Sequence, residues 1–257
     1  MTRALATAQA RLDRRVAWQS PGVGVLLGLG LTLAARLSTA DALWPVIGVV
    51  LVAQALLISG LHRGLQVSAP VSGMAVAGVV AVAADVVVAR ADEPHTLEPV
   101  VAVVACAFLL AVVQQLARRD ERHGVLASLA ATVGVGALAA FVASWAALGA
   151  GEGSDVLTVA GLTLVATSLA RLVPSEAVAP WVILAVGLGG GAALGPAFDL
   201  DRPRALLVGL ALGVATALAD AVVRRASVPL RSRWWTTGAL AFAGAAPLAY
   251  VAVHLTP

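Results

Sequence analysis

Long apolar stretches separated by short groups of charged or polar residues recur along the whole chain. A bilayer core about 30 Å thick requires about 20 apolar residues in each spanning helix. The pattern therefore predicts an all-α fold: a polytopic transmembrane helical bundle of about nine spans joined by short connections. The predicted spans are 21–38, 42–60, 71–89, 98–117, 124–148, 155–173, 177–197, 204–223 and 235–255.

The residues before the first span have a different character. Residues 1–20 hold four arginines, and Leu5, Leu12 and Val16 fall on one helical face. A basic amphipathic segment of this kind binds the surface of an anionic membrane. We therefore predict a cytoplasmic tail over 1–20 and a single transmembrane bundle over 21–257. An alternative interpretation, a secretory signal cleaved after the first span, stays open.

The arginine distribution predicts an orientation. All 17 basic residues are arginine, and cytoplasmic loops of membrane proteins carry an excess of such charge. With the N-terminus inside and nine alternating spans, 13 arginines fall on the inner side and four on the outer side. The outer four are Arg36, Arg90, Arg202 and Arg204. We therefore expect the N-terminus inside and the C-terminus outside the cytoplasmic (cell) membrane.

Composition narrows the chemistry. The chain is 60% hydrophobic and 12% charged, whereas soluble domains are about 25% charged. It contains no lysine, so lysine Schiff bases and phosphate-loop lysines are excluded. One cysteine, Cys106, cannot form an intramolecular disulfide, and four scattered histidines do not complete a zinc site. The sequence predicts no catalytic residue, no cofactor and no metal. The spread of the arginines argues against a nucleic-acid partner.

Two carboxylates lie within predicted spans. An ionisable residue there costs about 2.5–3.5 kcal/mol on insertion scales and is a functional candidate by default. Asp220 stands four residues before Arg224, the spacing of a helical ion pair. Asp85 is close enough to the outer end of its span to reach the interface or Arg90. Because they face opposite leaflets, we expect no shared site; a functional and a structural role stay open for each.

Glycines recur one turn apart in two late spans. Such spacing lets helix backbones approach closely in lipid. Internal helix packing is the first interpretation; a homodimer face or an unwound segment around 189–191 are alternatives. The glycines are Gly187, Gly191 and Gly195 in the seventh span and Gly209 and Gly213 in the eighth.

The predicted inner loop 224–235 concentrates positive charge. It contains Arg224, Arg225, Arg231 and Arg233 beside two tryptophans. Arginine near an anionic surface contributes about 1 kcal/mol per residue, so we expect membrane lipids with anionic headgroups on the inner leaflet as partners. Charge that only sets the orientation explains the loop equally well.

The last third of the chain resembles the phosphatidate cytidylyltransferase (CDP-diacylglycerol synthase) family. The resemblance lies in LLVGLALGVATALAD (206–220), the pair Arg224-Arg225 and FAGAAPLAY (242–250). It implies a membrane scaffold of many spans. The family's catalytic loop is missing, however, because no His, Gly-Gly or Asp lies between Arg225 and Thr236 and the lysine-rich motif is absent. The resemblance therefore implies a relative that kept the scaffold and lost catalysis.

Three functions follow as expectations. The first is a non-catalytic multi-pass membrane protein, a scaffold or partner subunit linked to envelope or phospholipid metabolism, with a membrane protein partner or a second copy of itself. The second is an unusual lipid enzyme with Asp220, Arg224 and Arg225 at the headgroup. The third is a transporter of an apolar or amphipathic solute, with a cavity near Gly189 and Gly190. The alanine-rich, lysine-free composition suggests a bacterial source.

Overall fold

The structure is a computed structural model that describes residues 21–38, 43–65, 70–91, 97–117, 124–151, 153–173, 175–225 and 230–255. Within these ranges the chain is helical and contains no strand. The helices are α1 (Gly22–Leu37), α2 (Trp44–Gly64), α3 (Pro70–Ala89), α4 (Glu98–Ala117), α5 (Val125–Phe141), α6 (Ser144–Gly151), α7 (Ser154–Ala170), α8 (Ala179–Leu194), α9 (Arg202–Arg225) and α10 (Leu230–His254), with a 3-10 turn at Gly195–Phe198.

Each of the nine predicted spans coincides with a helical segment. Seven of these segments are long and apolar enough to cross a membrane, whereas α1 and α7 are shorter apolar helices. The predicted all-helical fold is confirmed for the described residues, and seven of its helices are suited to membrane spans. The predicted tail over 1–20 lies outside the described residues.

Local sequence sets several helix boundaries. Pro45 and Pro180 stand in the first turns of α2 and α8, where a missing N–H removes no helical hydrogen bond. Gly124 and Gly153 precede α5 and α7 with φ of 68° and 83°. Only glycine adopts such backbone at little cost, so these two residues set the points at which α5 and α7 begin.

The helices pack as two groups that share α10. In one group α3 packs against α2, α4 and α5; in the other, α9 packs against α8 and α10, and α1 against α7. Helix α10 contacts both α1 and α2. The indole Nε1 of Trp145 in α6 donates a hydrogen bond to the carbonyl of Phe242 in α10, at 3.1 Å. Both side chains are fully buried, so this contact ties the two groups together.

The fifth predicted span is interrupted. It was expected as one long helix over 124–148, but α5 ends at Phe141 and α6 begins at Ser144. Between them the amides of Val142 and Ala143 bond the carbonyls three residues earlier, at 3.2 and 3.1 Å. This tighter pattern is that of a 3-10 turn, which in the middle of a helix often marks a functional position.

Candidate functional site

The Asp85 side chain in α3 is buried inside the bundle and is hydrogen-bonded to the neighbouring helix α2. The amide Nε2 of Gln54 in α2 donates to Asp85 Oδ1 at 3.0 Å. The two residues are only 4% and 2% exposed. The interaction therefore lies in the core of the group α2–α6 and not at the outer interface beside Arg90, which was the sequence-based alternative.

This Gln54–Asp85 pair leaves two oxygens without a hydrogen bond. Asp85 Oδ2 and Gln54 Oε1 are buried and have no partner among the residues that the structure describes. A buried polar atom without a partner costs about 1–3 kcal/mol, and a charged one more. Buried polar groups in native proteins are nearly always paired with protein, water or an ion, so two such atoms in one pair mark a position where a proton, an ion or water can bind.

The interruption between α5 and α6 forms one side of the same pair. Gln54 Nε2 also lies 3.1 Å from the carbonyl oxygen of Ala139. That oxygen already accepts the amide of Val142 at 3.2 Å. The Gln54–Asp85 pair is therefore hydrogen-bonded to the 3-10 turn between α5 and α6. A change in the hydrogen bonds of Gln54 acts directly on that turn.

A buried histidine lies two turns further along α2. His62 is 1% exposed, and its Nδ1 donates to the carbonyl of Ile58 at 3.0 Å, which leaves Nε2 as an acceptor without a partner among the described residues. Gly73 on α3 makes room for it. A Cβ on Gly73 would lie 2.8 Å from His62 Nε2 and 3.0 Å from Thr132 Oγ1. The ring nitrogen and the Thr132 hydroxyl, itself unpartnered, therefore border one gap.

Further polar side chains join the helices at the same end of this group. Gln114 Nε2 donates to Ser72 Oγ at 2.6 Å, and Gln115 Nε2 to Ser128 Oγ at 2.9 Å. Since Gln54 and His62 are eight residues apart, a rise of 1.5 Å per residue separates them by about 12 Å. Polar groups thus extend from the end of α2 to the Gln54–Asp85 pair. We call the set Gln54, His62, Ser72, Asp85, Gln114, Gln115, Ser128 and Thr132 the polar core.

Asp220 has an entirely different environment. Arg224, one turn later in α9, places Nη1 at 2.6 Å from its Oδ2, and Arg171 at the end of α7 places Nη2 at 3.4 Å from its Oδ1. The side chains of Arg171 and Asp220 are 4% and 14% exposed, and that of Arg224 33%. The carboxylate is therefore compensated by two guanidinium groups, one of them buried.

This arrangement does not fit the metal chemistry that the cytidylyltransferase resemblance implies. Metal-assisted nucleotidyl transfer requires carboxylates that hold the cations. Both oxygens of Asp220 are engaged by arginine. Among the described residues, no group of three or more His, Cys, Asp or Glu side chains could hold a metal ion.

The arginines of the predicted loop 224–235 are mostly within helices. Arg224 and Arg225 form the last turn of α9, and α10 already begins at Leu230, so the connection is shorter than predicted. Arg225 is exposed and available to a headgroup. Arg231 and Arg233 belong to the first turn of α10, and their side chains lie outside the described part of the structure.

The predicted glycines bring α8 and α9 into backbone contact. A Cβ on Gly191 would lie 3.0 Å from the carbonyl carbon of Ala205 and 3.2 Å from the Cα of Gly209. A Cβ on Gly187 would lie 2.9 Å from the Cα of Gly213. Gly195 starts the 3-10 turn and is also buried. Helix α8 continues without interruption through 189–191, so the unwound segment that was considered there does not exist.

An apolar crevice opens between α1 and α2. Its volume is about 370 Å³, within the range of about 300–1,000 Å³ typical of small-molecule sites. Gly30 and Gly48 line it, and a Cβ on Gly48 would meet no atom within 4 Å. Leu26 and Val52, also in its lining, are 68% and 55% exposed, so the crevice faces the outside of the bundle.

Comparisons with protein-family models, curated proteins and solved structures give no match to this chain. The cytidylyltransferase resemblance therefore stays a prediction.

Sequence reasoning missed Arg171 as a partner of Asp220, Gln54 as the partner of Asp85, and His62 altogether. The predicted second span ended at residue 60, before His62, whereas α2 continues to Gly64. The spacing of Gln54 and His62, close to two helical turns, could have placed both on one face.

Proposed function

We propose that the protein is a multi-pass transporter of an apolar or amphipathic solute in the cell membrane. The observation that carries this proposal is the Gln54–Asp85 pair, buried beside an interrupted helix with two oxygens unpartnered. Ionisable groups inside membrane bundles mark substrate or ion pathways, and transporters place binding sites at discontinuous helices. A scaffold, the first function expected from the sequence, requires neither a buried unpartnered carboxyl group nor an interrupted helix.

Nine spans with the N-terminus inside remain part of the proposal. The two short helices support each other, because a Cβ on Gly28 of α1 would lie 3.1 Å from the amide nitrogen of Val165 in α7. At their predicted outer ends Arg36 lies 3.4 Å from Asp155. This ion pair offsets one of the four arginines on the outer side.

The crevice between α1 and α2 is the proposed entry for the solute. Its lining is apolar and open to the outside of the bundle, which suits an acyl chain or another apolar group arriving from the bilayer. Gly48 and Gln54 are six residues apart on α2, and the crevice and the polar core lie on different faces of that helix. A movement of α2 therefore changes both.

A vesicle assay tests the proposal with two probes, ethidium and a fluorescent short-chain phosphatidylglycerol. Purified protein in vesicles is expected to redistribute one of them across the bilayer when a pH gradient is applied. Gly48→Leu should abolish this, because its side chain fills the crevice. Gly134→Leu on α5 is the matched control, since a Cβ there also meets no atom within 4 Å but lies outside the crevice lining.

Redistribution by wild type and Gly134→Leu but not by Gly48→Leu would support transport through the crevice. If folded wild-type protein moves neither probe, the scaffold or partner-subunit expectation replaces the transporter, and crosslinking in native membranes becomes the next experiment.

A further inference from the structure

We propose that Asp85 and Gln54 form a proton-binding site and that the proton is the ion coupled to transport. The coupling of the proton to transport rests on the proposed function. The site itself rests on separate observations: the burial of both side chains, their single mutual hydrogen bond and the unpartnered Asp85 Oδ2.

The charges around Asp85 favour a bound proton. Helices α2, α4 and α5 pack against α3. Their described ionisable groups are His62 and Arg63 near the end of α2, and Glu98 and Cys106 on α4; α5 and α6 have none. Arg63, Glu98 and Arg90 are exposed, and Asp85 makes no ion pair with any described residue. An uncompensated buried carboxylate is very costly, and a proton on Oδ2 removes that cost.

A metal cation fits the same site less well. Calcium takes about six to eight oxygen ligands and magnesium requires an octahedral set, whereas only two unpartnered oxygens, Asp85 Oδ2 and Gln54 Oε1, belong to the pair among the described residues. The Ala139 carbonyl already accepts from Gln54 and Val142. One proton needs one acceptor, and Oδ2 provides it.

The rest of the polar core offers a route for the proton. His62 Nε2 has no partner among the described residues and borders the same gap as the Thr132 hydroxyl, and imidazole takes up and releases protons near neutral pH. His62 lies toward the predicted inner face and Gln54 about 12 Å further along α2. In the proposed mechanism a proton from the inner side binds His62 Nε2 and is then released toward Asp85 Oδ2, which leaves His62 neutral again.

Labelling with dicyclohexylcarbodiimide tests the site directly. This apolar reagent adds to a protonated carboxyl group and does not modify a carboxylate. In vesicles of phosphatidylethanolamine and phosphatidylglycerol, mass spectrometry should find Asp85 modified and Asp220 unmodified, because both oxygens of Asp220 are engaged in ion pairs with arginine. Above its titration point Asp85 labelling should fall about tenfold for each pH unit. Gln54→Leu removes a donor to the ionised form, so labelling should persist to more alkaline pH.

Infrared spectroscopy covers the case in which the reagent cannot reach Asp85. A protonated carboxyl has its own C=O stretching band, and this band should be lost in Asp85→Asn and should disappear from wild type on raising the pH. Absence of both the band and the labelling would overturn the proposal. Protection of Asp85 by sodium at constant pH would also overturn it, in favour of a metal cation.

The two proposals fail separately. Labelling of Asp85 with no movement of either probe would leave the proton site intact and remove transport. If Asp85→Asn still moves a probe, or if wild type moves one without a pH gradient, the protein is a transporter but the proton is not its coupled ion.

Discussion

Asp220 and Asp85 show how a carboxyl group inside a helix is accommodated in two ways. Asp220 is compensated by charge, with guanidinium groups 2.6 and 3.4 Å from its two oxygens. Asp85 has one neutral amide donor and an unpartnered oxygen. A compensated group needs no ligand, whereas an uncompensated one does. From this difference we expect Asp220 to contribute to stability, and it supports the functional role proposed for Asp85.

Substitution of Asp220 by asparagine is therefore expected to destabilise the protein without a specific loss of transport. Breaking a buried ion pair costs about 3–5 kcal/mol, because the remaining charge stays buried. The Arg171 side chain is 4% exposed but Asp220 is 14% exposed, so we expect about 3 kcal/mol. Thermal unfolding in detergent measures the loss.

Arg224→Ala is the matched control. Its side chain is 33% exposed, against 4% for Arg171, so its removal leaves less buried charge and should cost less than Asp220→Asn. The double variant R171M/D220N should recover part of the stability, since neither charge is then left alone. Equal stability of Asp220→Asn and wild type would contradict the assignment.

The sequence predicts these residue contacts only where both partners share a helix. Asp220 and Arg224 are four residues apart, and the helical repeat brings them together. Arg171 comes from 49 residues away and Gln54 from 31 residues before Asp85. No local rule specifies which of several apolar helices will be neighbours, so the contrast between the two carboxylates emerges only from the packing.

Close contacts through glycine determine how the helices pack. At Gly187, Gly191 and Gly209 an added Cβ would meet backbone atoms of the opposite helix. Backbone cannot move aside as a side chain can, so even one methyl group separates α8 from α9. Small residues therefore set the distance between these helices, as is common in membrane bundles.

Gly191→Ala tests this packing with the smallest possible change. We expect destabilisation of about 1–3 kcal/mol, the usual cost of overpacking, although alanine is the better helix former. Gly189→Ala is the control two residues away, where a Cβ meets no atom within 4 Å. It should be neutral or stabilising. The measurement is thermal unfolding of both variants, and an equal effect of the two would refute packing through Gly191.

The interruption between α5 and α6 is a feature that the sequence does not predict. Kinks are usually explained by proline, glycine pairs or an inserted side chain. Phe141, Val142 and Ala143 include neither proline nor glycine. The third cause fits instead, since the side chain of Gln54 bonds the Ala139 carbonyl from another helix. The continuous apolar stretch therefore predicted one regular helix. The helical segment lies where it was expected, but it is interrupted between α5 and α6.

At the scale of the whole molecule, the apolar pattern predicts where the helical segments lie because the bilayer imposes their length. The arrangement of the segments into two groups sharing α10 has no comparable signal. Apolar helices have similar outer surfaces, and the specific contacts come from a few small or polar residues. The polar core of α2–α6 and the glycine contacts of α8 and α9 are such contacts.

The number of spans can be tested by determining on which side of the membrane each of three helix ends lies. With nine spans Arg90 and Leu255 are outside and Arg225 is inside. If the short helices α1 and α7 do not cross, seven spans remain, and Arg90 and Arg225 then share one side, with Leu255 opposite. All three residues are exposed at helix ends, so a single cysteine at each position, in a Cys106→Ala background, is accessible to a thiol reagent.

On intact cells, a membrane-impermeant maleimide should label Arg90→Cys and Leu255→Cys but should label Arg225→Cys only after the membrane is opened. Labelling of Arg90→Cys and Arg225→Cys together would show seven spans and remove α1 from the membrane. The crevice between α1 and α2 could not then admit a solute from the bilayer. The same experiment therefore decides whether the entry site can exist, while the Gln54–Asp85 pair, built on α2 and α3, is unaffected by its outcome.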